Sequence, residues 1–102
     1  MYFVYIMANR WKTPYTGVTN SLIRSVKEHK EEASADLARK FGVDLVYFER
    51  FDDVRSAIGR EKRIRRLLRR EKIALVAAVN PEWKDLSREW FEWQDSAEEA
   101  AA

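Results

Sequence analysis

Glu61 is the residue of this sequence that most constrains the chemistry available to the chain. It lies in a basic segment, residues 60–72, that contains eight Lys or Arg residues. At helical spacing, positions 54, 58, 61, 64, 65 and 68 share one face, on which an ionised carboxylate would be costly to bury alone. Glu61 therefore needs a cation, either a neighbouring basic side chain or a metal ion. An ion pair is the commoner arrangement, and the position on the inward face keeps the metal alternative open.

Three further side chains could take part in proton transfer, although each has a commoner structural explanation. His29, the single histidine, falls on the same helical face as Leu22 and Val26. A histidine in that setting is more often a partly buried structural residue than a catalyst. Tyr5 and Tyr15 lie in two apolar segments that we expect to pair as strands, where tyrosines ordinarily pack across the sheet. By themselves these residues predict no more than a binder of polyanions.

Composition limits the kinds of metal site and partner. The chain has 102 residues, enough for one domain with a modest core, and it has no cysteine. Zinc sites built from thiolates or several histidines are therefore excluded, and a metal must have oxygen ligands. The basic segment 60–72 is the predicted polyanion surface, since acidic residues outnumber basic ones from Glu82 onward. Apolar runs too short to span a membrane, and a start without basic residues, predict a soluble cytoplasmic protein.

Hydrophobic spacing outlines the elements that must position these side chains. Residues 2–7 and the run beginning at Pro14 predict an antiparallel hairpin, and residues 43–51 predict a third strand. Residues 19–21 are good caps for a first helix that reaches about Glu32, and residues 35–41 predict a short helical turn. Asp52 or Asp53 can cap a long helix. Its predicted apolar stripe consists of Val54, Ala57, Ile58, Ile64, Leu67 and Leu68.

The last part of the chain predicts two more helices. The first runs from about Arg70 and must stop near Asn80, because Pro81 disfavours helical geometry in the residue before it. The second is short, is capped by Ser87 and contains Trp90 and Trp93. We expect residues 1–90 to form a single α+β domain and residues 91–102 to form a C-terminal extension that is frayed at its end.

Taken in order, several segments resemble the GIY-YIG endonuclease superfamily, in particular its small single-domain bacterial members. Phe3-Val4-Tyr5 stands at the first motif, with Phe3 and Val4 in place of its glycine and isoleucine, and Tyr15-Thr16-Gly17 stands at the second. The later matches are a helix over residues 22–29, the segment 57–62 and the segment 80–86. The resemblance covers roughly residues 1–90, and its ordered spacing is more specific than any one motif.

The resemblance implies a three-stranded antiparallel sheet flanked by helices, and hydrolysis of phosphodiester bonds with one divalent cation, Mg²⁺ or Mn²⁺. Tyr5 would activate the attacking water, and Tyr15 would line the same site. His29 would orient a tyrosine or accept its proton. Glu61 would hold the metal through a carboxylate oxygen, and Asn80 would have a supporting hydrogen-bonding role.

One position departs from the family pattern. Members of the family carry an arginine one helical turn before the histidine, and here that position is Ser25. Arg24 is its neighbour, but one step along a helix turns the side chain by ~100°, so Arg24 must curl back to act at the site. Loss of such a charge donor commonly costs ~10²-fold in rate. The departure predicts a slow enzyme, one assisted by Arg24, or a domain that no longer cleaves.

Three functions from different classes are compatible with these features. The first is a metal-dependent endonuclease acting on DNA, weakened at Ser25. The second is a catalytically inactive nucleic-acid-binding domain of the same fold, which would bind in a salt-dependent way without cleavage. The third is a protein-interaction module that docks through Trp83, Trp90 and Trp93, although these tryptophans more commonly close the core of a small domain.

Overall fold

The computed structural model of the chain describes residues 1–9, 11–32 and 44–90. Three strands, β1 (Tyr2–Ala8), β2 (Pro14–Thr19) and β3 (Asp44–Phe51), form one antiparallel sheet in the order β2-β1-β3. Three helices accompany them, which are α1 (Leu22–Glu32), α2 (Val54–Arg66) and α3 (Arg69–Val79). The predicted α+β fold, a three-stranded antiparallel sheet flanked by helices, is confirmed.

The central strand β1 separates two cores, because successive side chains of a strand point to opposite faces. Val4, Ile6 and Ala8 pack in one core with Ala57 and Ile64 of α2. Phe3, Tyr5 and Met7 pack in the other with Leu22 and Val26 of α1. The sheet therefore has α2 on one face and α1 on the other.

Helix α2 begins as predicted and ends earlier than predicted. The carboxylate of Asp53 accepts hydrogen bonds from the backbone N–H groups of Arg55 and Ser56, which is a helix N-cap. The helix ends at Arg66, so the predicted stripe to Leu68 is wrong at its end. The stripe is also narrower, since its buried residues are Ala57, Glu61 and Ile64, whereas Val54, Ile58 and Leu68 are exposed.

The end of α3 is where Pro81 predicts it, with Asn80 as the C-cap. Beyond it, the Asp85 carboxylate accepts hydrogen bonds from Lys30 of α1 and from the backbone N–H of Leu45 in β3. Residues 88–90 are helical, but the Ser87 hydroxyl donates to Asp85 instead of capping them. The predicted helical turn at 35–41, Trp93 and the extension 91–102 lie outside the described residues.

Candidate active site

Three of the predicted site residues, Tyr5, Tyr15 and His29, lie together on the α1 face of the sheet. The Tyr5 hydroxyl is 3.1 Å from Nε2 of His29. The ring centroids of Tyr15 and His29 are 4.9 Å apart, those of Tyr5 and His29 are 5.9 Å apart, and those of the two tyrosines are 6.4 Å apart. The structure therefore brings two phenols and an imidazole into one compact cluster, to which we refer as the tyrosine–histidine cluster.

Strand register and helix periodicity place these side chains. Tyr5 pairs with Gly17 across the β1–β2 ladder, and Tyr15 pairs with Met7, so both tyrosines point to the same face. His29 follows the buried Val26 of α1 by three residues and therefore points towards the same face.

Gly17 makes room for the Tyr5 phenol. A Cβ atom at position 17 would lie 2.6 Å from the Tyr5 hydroxyl oxygen. Such an approach is too close for any two unbonded heavy atoms of these types. A larger residue at position 17 would therefore displace the Tyr5 phenol from its place beside His29.

The buried position of Tyr5 controls its ionisation. Its residue surface is only 5% exposed. Burial raises the pKa of Tyr5 to about 12; the neighbouring Tyr15 and Glu28 add to the rise, and the nearby Ser25 hydroxyl acts in the opposite direction. At neutral pH Tyr5 is therefore an uncharged phenol. With His29 in the tautomer protonated at Nδ1, Nε2 accepts the hydrogen of this phenol.

Ser25 lies beside the cluster, at the position where the resemblance leads us to expect an arginine. Its hydroxyl donates a hydrogen bond to Oγ1 of Thr19, at 2.6 Å. Thr19 in turn donates to the backbone carbonyl of Ser21. Thr19 is a residue that the sequence interpretation treated only as a helix cap. No sequence pattern predicts the hydrogen bond between Thr19 and Ser25, because it depends on how α1 packs against β2.

Arg24 does not point to the tyrosine–histidine cluster. Its guanidinium donates to Oδ1 of Asn20 at 3.3 Å, and it lies 3.9 Å from the Glu28 carboxylate. The Arg24 side chain is 65% exposed. Because neighbouring helical residues point ~100° apart, Arg24 points away from the cluster, as expected. A role for Arg24 at the cluster requires a different side-chain conformation.

Asn80 is buried and fully engaged within the fold. Its Nδ2 donates to the backbone carbonyls of Val46 and Lys84, at 3.0 and 2.9 Å, and its Oδ1 accepts from the backbone N–H of Lys84 at 3.0 Å. Val46 is the residue of β3 that a register shift leaves without a partner on β1. Asn80 therefore ties the irregular part of β3 to the loop after α3, and the structure does not place its amide in the cluster.

Glu61 is buried on α2, as its place on the inward stripe predicts. Its side chain is 7% exposed and forms an ion pair with Arg65, whose side chain is 65% exposed. The contact lacks hydrogen-bonding geometry, so Oε1 has no hydrogen-bond donor among the described residues. The basic neighbour expected from sequence is present, yet it leaves the carboxylate oxygen unsatisfied.

The surroundings of Glu61 are compatible with a divalent cation. A buried carboxylate oxygen without a donor is a ligand that Mg²⁺ or Mn²⁺ accepts, and an exposed arginine can move aside. Within the described residues there is no group of three or more His, Cys, Asp or Glu side chains that could hold a metal ion. Helix α2 also contacts β2, the edge strand that bears Tyr15.

Comparison with known families defines the class of protein that has this fold and cluster. A family model described as the GIY-YIG catalytic domain matches residues 1–74. The chain belongs to the GIY-YIG catalytic domain family. This domain indicates nuclease activity on nucleic acid, and nucleases of the family generally use divalent metal ions.

Particular relatives narrow the position of the chain within this family. It is 36% identical over 90 residues to a UPF0213 protein of Clostridium perfringens, covering 87% of this chain and 97% of that protein. It is 39% identical over 77 residues to a UPF0213 protein of Natronomonas pharaonis, covering 74% of this chain and 91% of the other. The NMR structure of a UPF0213 protein from Bacillus halodurans has a TM-score of 0.54 and 27% identity, and covers 86% of this chain and 96% of that chain. The resemblance expected from sequence is confirmed.

Helices long and apolar enough to cross a membrane are absent from the part of the chain that the structure describes.

Proposed function

We propose that this protein is a metal-dependent endonuclease that hydrolyses phosphodiester bonds in DNA. The observation that supports this most directly is the contact between the Tyr5 hydroxyl and His29 Nε2 in a part-buried cluster of a GIY-YIG catalytic domain. A phenol and an imidazole at hydrogen-bonding distance form a pair that can take a proton from water. The proposal assigns that role to Tyr5 and His29.

In the proposed reaction the Tyr5 oxygen accepts a proton from water while its own proton passes to Nε2 of His29. The hydroxide attacks phosphorus, the bond from phosphorus to the leaving oxygen breaks, and His29 ends as an imidazolium. This relay avoids a free phenolate, which is costly because Tyr5 has a pKa of about 12. Tyr15 packs on His29 and holds the imidazole in place.

Glu61 is the proposed ligand of the metal, since its Oε1 has no hydrogen-bond donor among the described residues. A bound Mg²⁺ or Mn²⁺ supplies Lewis-acid stabilisation of charge on the phosphate. Arg65 would leave the carboxylate and become free to meet nucleic acid. The proposal places the scissile phosphate at the edge strand β2, which bears Tyr15 and which is contacted by α2, the helix of Glu61.

A second function, a nucleic-acid-binding domain without turnover, is favoured by the arrangement around Ser25. The Ser25 hydroxyl donates its hydrogen bond to Thr19, and the guanidinium of the neighbouring Arg24 contacts Asn20 and Glu28. Without a fixed positive charge beside Tyr5, the cluster lacks one means of stabilising the phosphate in the transition state. Slow cleavage and loss of cleavage are therefore the two outcomes to separate.

The test is cleavage of plasmid, duplex and branched DNA with Mg²⁺ or Mn²⁺ by the intact chain and by Tyr5→Phe, Glu61→Gln and Ser25→Arg. The nuclease proposal expects slow cleavage that a chelator, Tyr5→Phe or Glu61→Gln abolishes, and that Ser25→Arg accelerates. Tyr2→Phe, a tyrosine on the same strand but in the other core, is the matched control. Binding by all variants with cleavage by none would establish the second function instead.

A further inference from the structure

A groove on the outer side of α2 is not used by the tyrosine–histidine cluster. It has a volume of about 460 Å³ and lies between the helix and the end of β3. Its wall is formed by Phe51, Arg55, Ser56, Gly59, Arg60 and Arg63. Because these helix residues lie opposite Ala57, Glu61 and Ile64, the groove opens away from the core.

The positive charge in this groove is only partly compensated. Nε of Arg60 donates to both carboxylate oxygens of Glu49, at 3.1 and 3.0 Å. Arg55 and Arg63 are exposed, and within the described residues their guanidinium groups form no ion pair. Arg63 follows Arg55 by eight positions, which is ~12 Å along the helix. Two uncompensated guanidinium groups thus stand at the two ends of one groove.

Gly59 lies between these two arginines, and the fold does not account for it. Glycine is unfavourable in the interior of a helix. A Cβ atom at position 59 would meet no atom within 4 Å, so no internal contact requires a glycine there. Because Gly59 has no side chain, the helix backbone between Arg55 and Arg63 is uncovered, and a ligand can approach it closely.

We propose that this groove binds the sugar–phosphate backbone of nucleic acid. The identity of the ligand rests on the proposed function; the position of the groove does not. Guanidinium groups bind phosphate oxygens in a bidentate manner, and the ring of Phe51 offers an apolar wall to the sugar. The groove lies on α2, apart from both the tyrosine–histidine cluster and Glu61, so it is a second contact that holds the substrate during cleavage.

The first test measures binding of a short fluorescein-labelled DNA duplex by anisotropy, in a chelator and over a range of salt concentrations. The double variant Arg55→Ala/Arg63→Ala should bind at least ~10-fold more weakly at ~0.1 M salt, with a salt slope smaller by roughly 2. The matched control is Arg50→Ala/Lys84→Ala, which removes the same charge from two exposed positions outside both the groove and the basic segment 60–72. Equal weakening by both double variants would overturn the proposal, because the charge would then act without a site.

The second variant, Gly59→Ala, separates binding from folding. It should raise the melting temperature by roughly 2 to 6 °C, because alanine is the better helix former, and it should weaken binding of the duplex. A more stable variant with unchanged affinity would contradict close approach at Gly59. Cleavage assays distinguish the two proposals. If the intact chain does not cleave DNA but the groove variants still bind it more weakly than the control variant does, the nuclease proposal alone is disproved. If the intact chain cleaves DNA with metal but the groove variants bind as well as the control variant, the groove proposal alone is disproved.

Discussion

Two buried polar side chains, Asn80 and Glu61, differ in how completely their hydrogen bonds are made. Asn80 is 6% exposed, and its amide makes three hydrogen bonds to backbone groups. Glu61 is 5% exposed, but its Oε1 has no donor among the described residues and its ion-pair partner is an exposed arginine. Burial alone therefore does not separate a structural polar residue from one with spare binding capacity, whereas the state of its hydrogen bonds does.

The difference has an energetic meaning. A buried polar group without a partner costs about 1 to 3 kcal/mol, so a fold that keeps one loses stability that a saturated group would preserve. The side chains of Asn80 and Asp85 make hydrogen bonds that connect the loop after α3 to β3 and α1. A loss of these bonds would therefore weaken the contacts between three elements. The Glu61 region keeps a cost that cation binding would remove, which is a common property of functional sites.

The largest effect that this comparison predicts is that of Asn80→Ala. Removing the amide leaves the carbonyl of Val46 and both backbone groups of Lys84 without partners, so the free energy of unfolding should fall by about 3 kcal/mol. Urea unfolding followed by circular dichroism measures it. The control is Asn20→Ala, since Asn20 is exposed and should change stability by less than about 0.5 kcal/mol. Similar values for the two variants would remove the basis of the comparison.

The next effect concerns Tyr5 and is visible at alkaline pH. The pKa of Tyr5 in the folded protein, about 12, lies above its ordinary value of 10, so its contribution to stability is complete below pH 10 and is lost as pH rises towards 12. By pH 11 the intact chain should lose about 1 to 1.5 kcal/mol relative to Tyr5→Phe, which has no phenol to ionise. The measurement is the difference in unfolding free energy between the two proteins at pH 8 and pH 11. A difference that stays constant would show that the phenol ionises equally easily in both states.

Much of this arrangement could be predicted from local sequence. The positions of Tyr5 and Tyr15 on paired strands and of His29 on the inner face of α1 follow from local spacing, whereas their membership of one site is what the family resemblance implies. The buried position of Glu61 follows from the same spacing. Pro81 fixes the end of α3 through a steric restriction on the residue before it. These predictions succeed because each depends on one element.

Features that join distant segments could not be predicted. The bonds of Asn80 depend on a register shift that frees the carbonyl of Val46, and no pattern in either segment encodes that shift. The contact of Ser25 with Thr19 depends on the packing of α1 against the hairpin. Helix α2 also exposes Val54 and Ile58, because only a narrow stripe of the helix meets the sheet. Apolar periodicity predicts which face turns inward but not how wide the contact is.

The smallest effect, and the one that most sharpens the comparison, is that of Glu61→Gln. Without divalent metal this variant should unfold within about 1 kcal/mol of the intact chain, because the interaction that it breaks is an ion pair with the exposed Arg65. With millimolar Mn²⁺ or Mg²⁺ the intact chain should gain thermal stability and Glu61→Gln should not, since a cation that binds only the folded state stabilises it by mass action. Glu82→Gln, at an exposed carboxylate, is the control and should respond like the intact chain. If metal stabilises all three proteins equally, it binds elsewhere, and the unsatisfied oxygen of Glu61 is then a cost of the ion pair with Arg65.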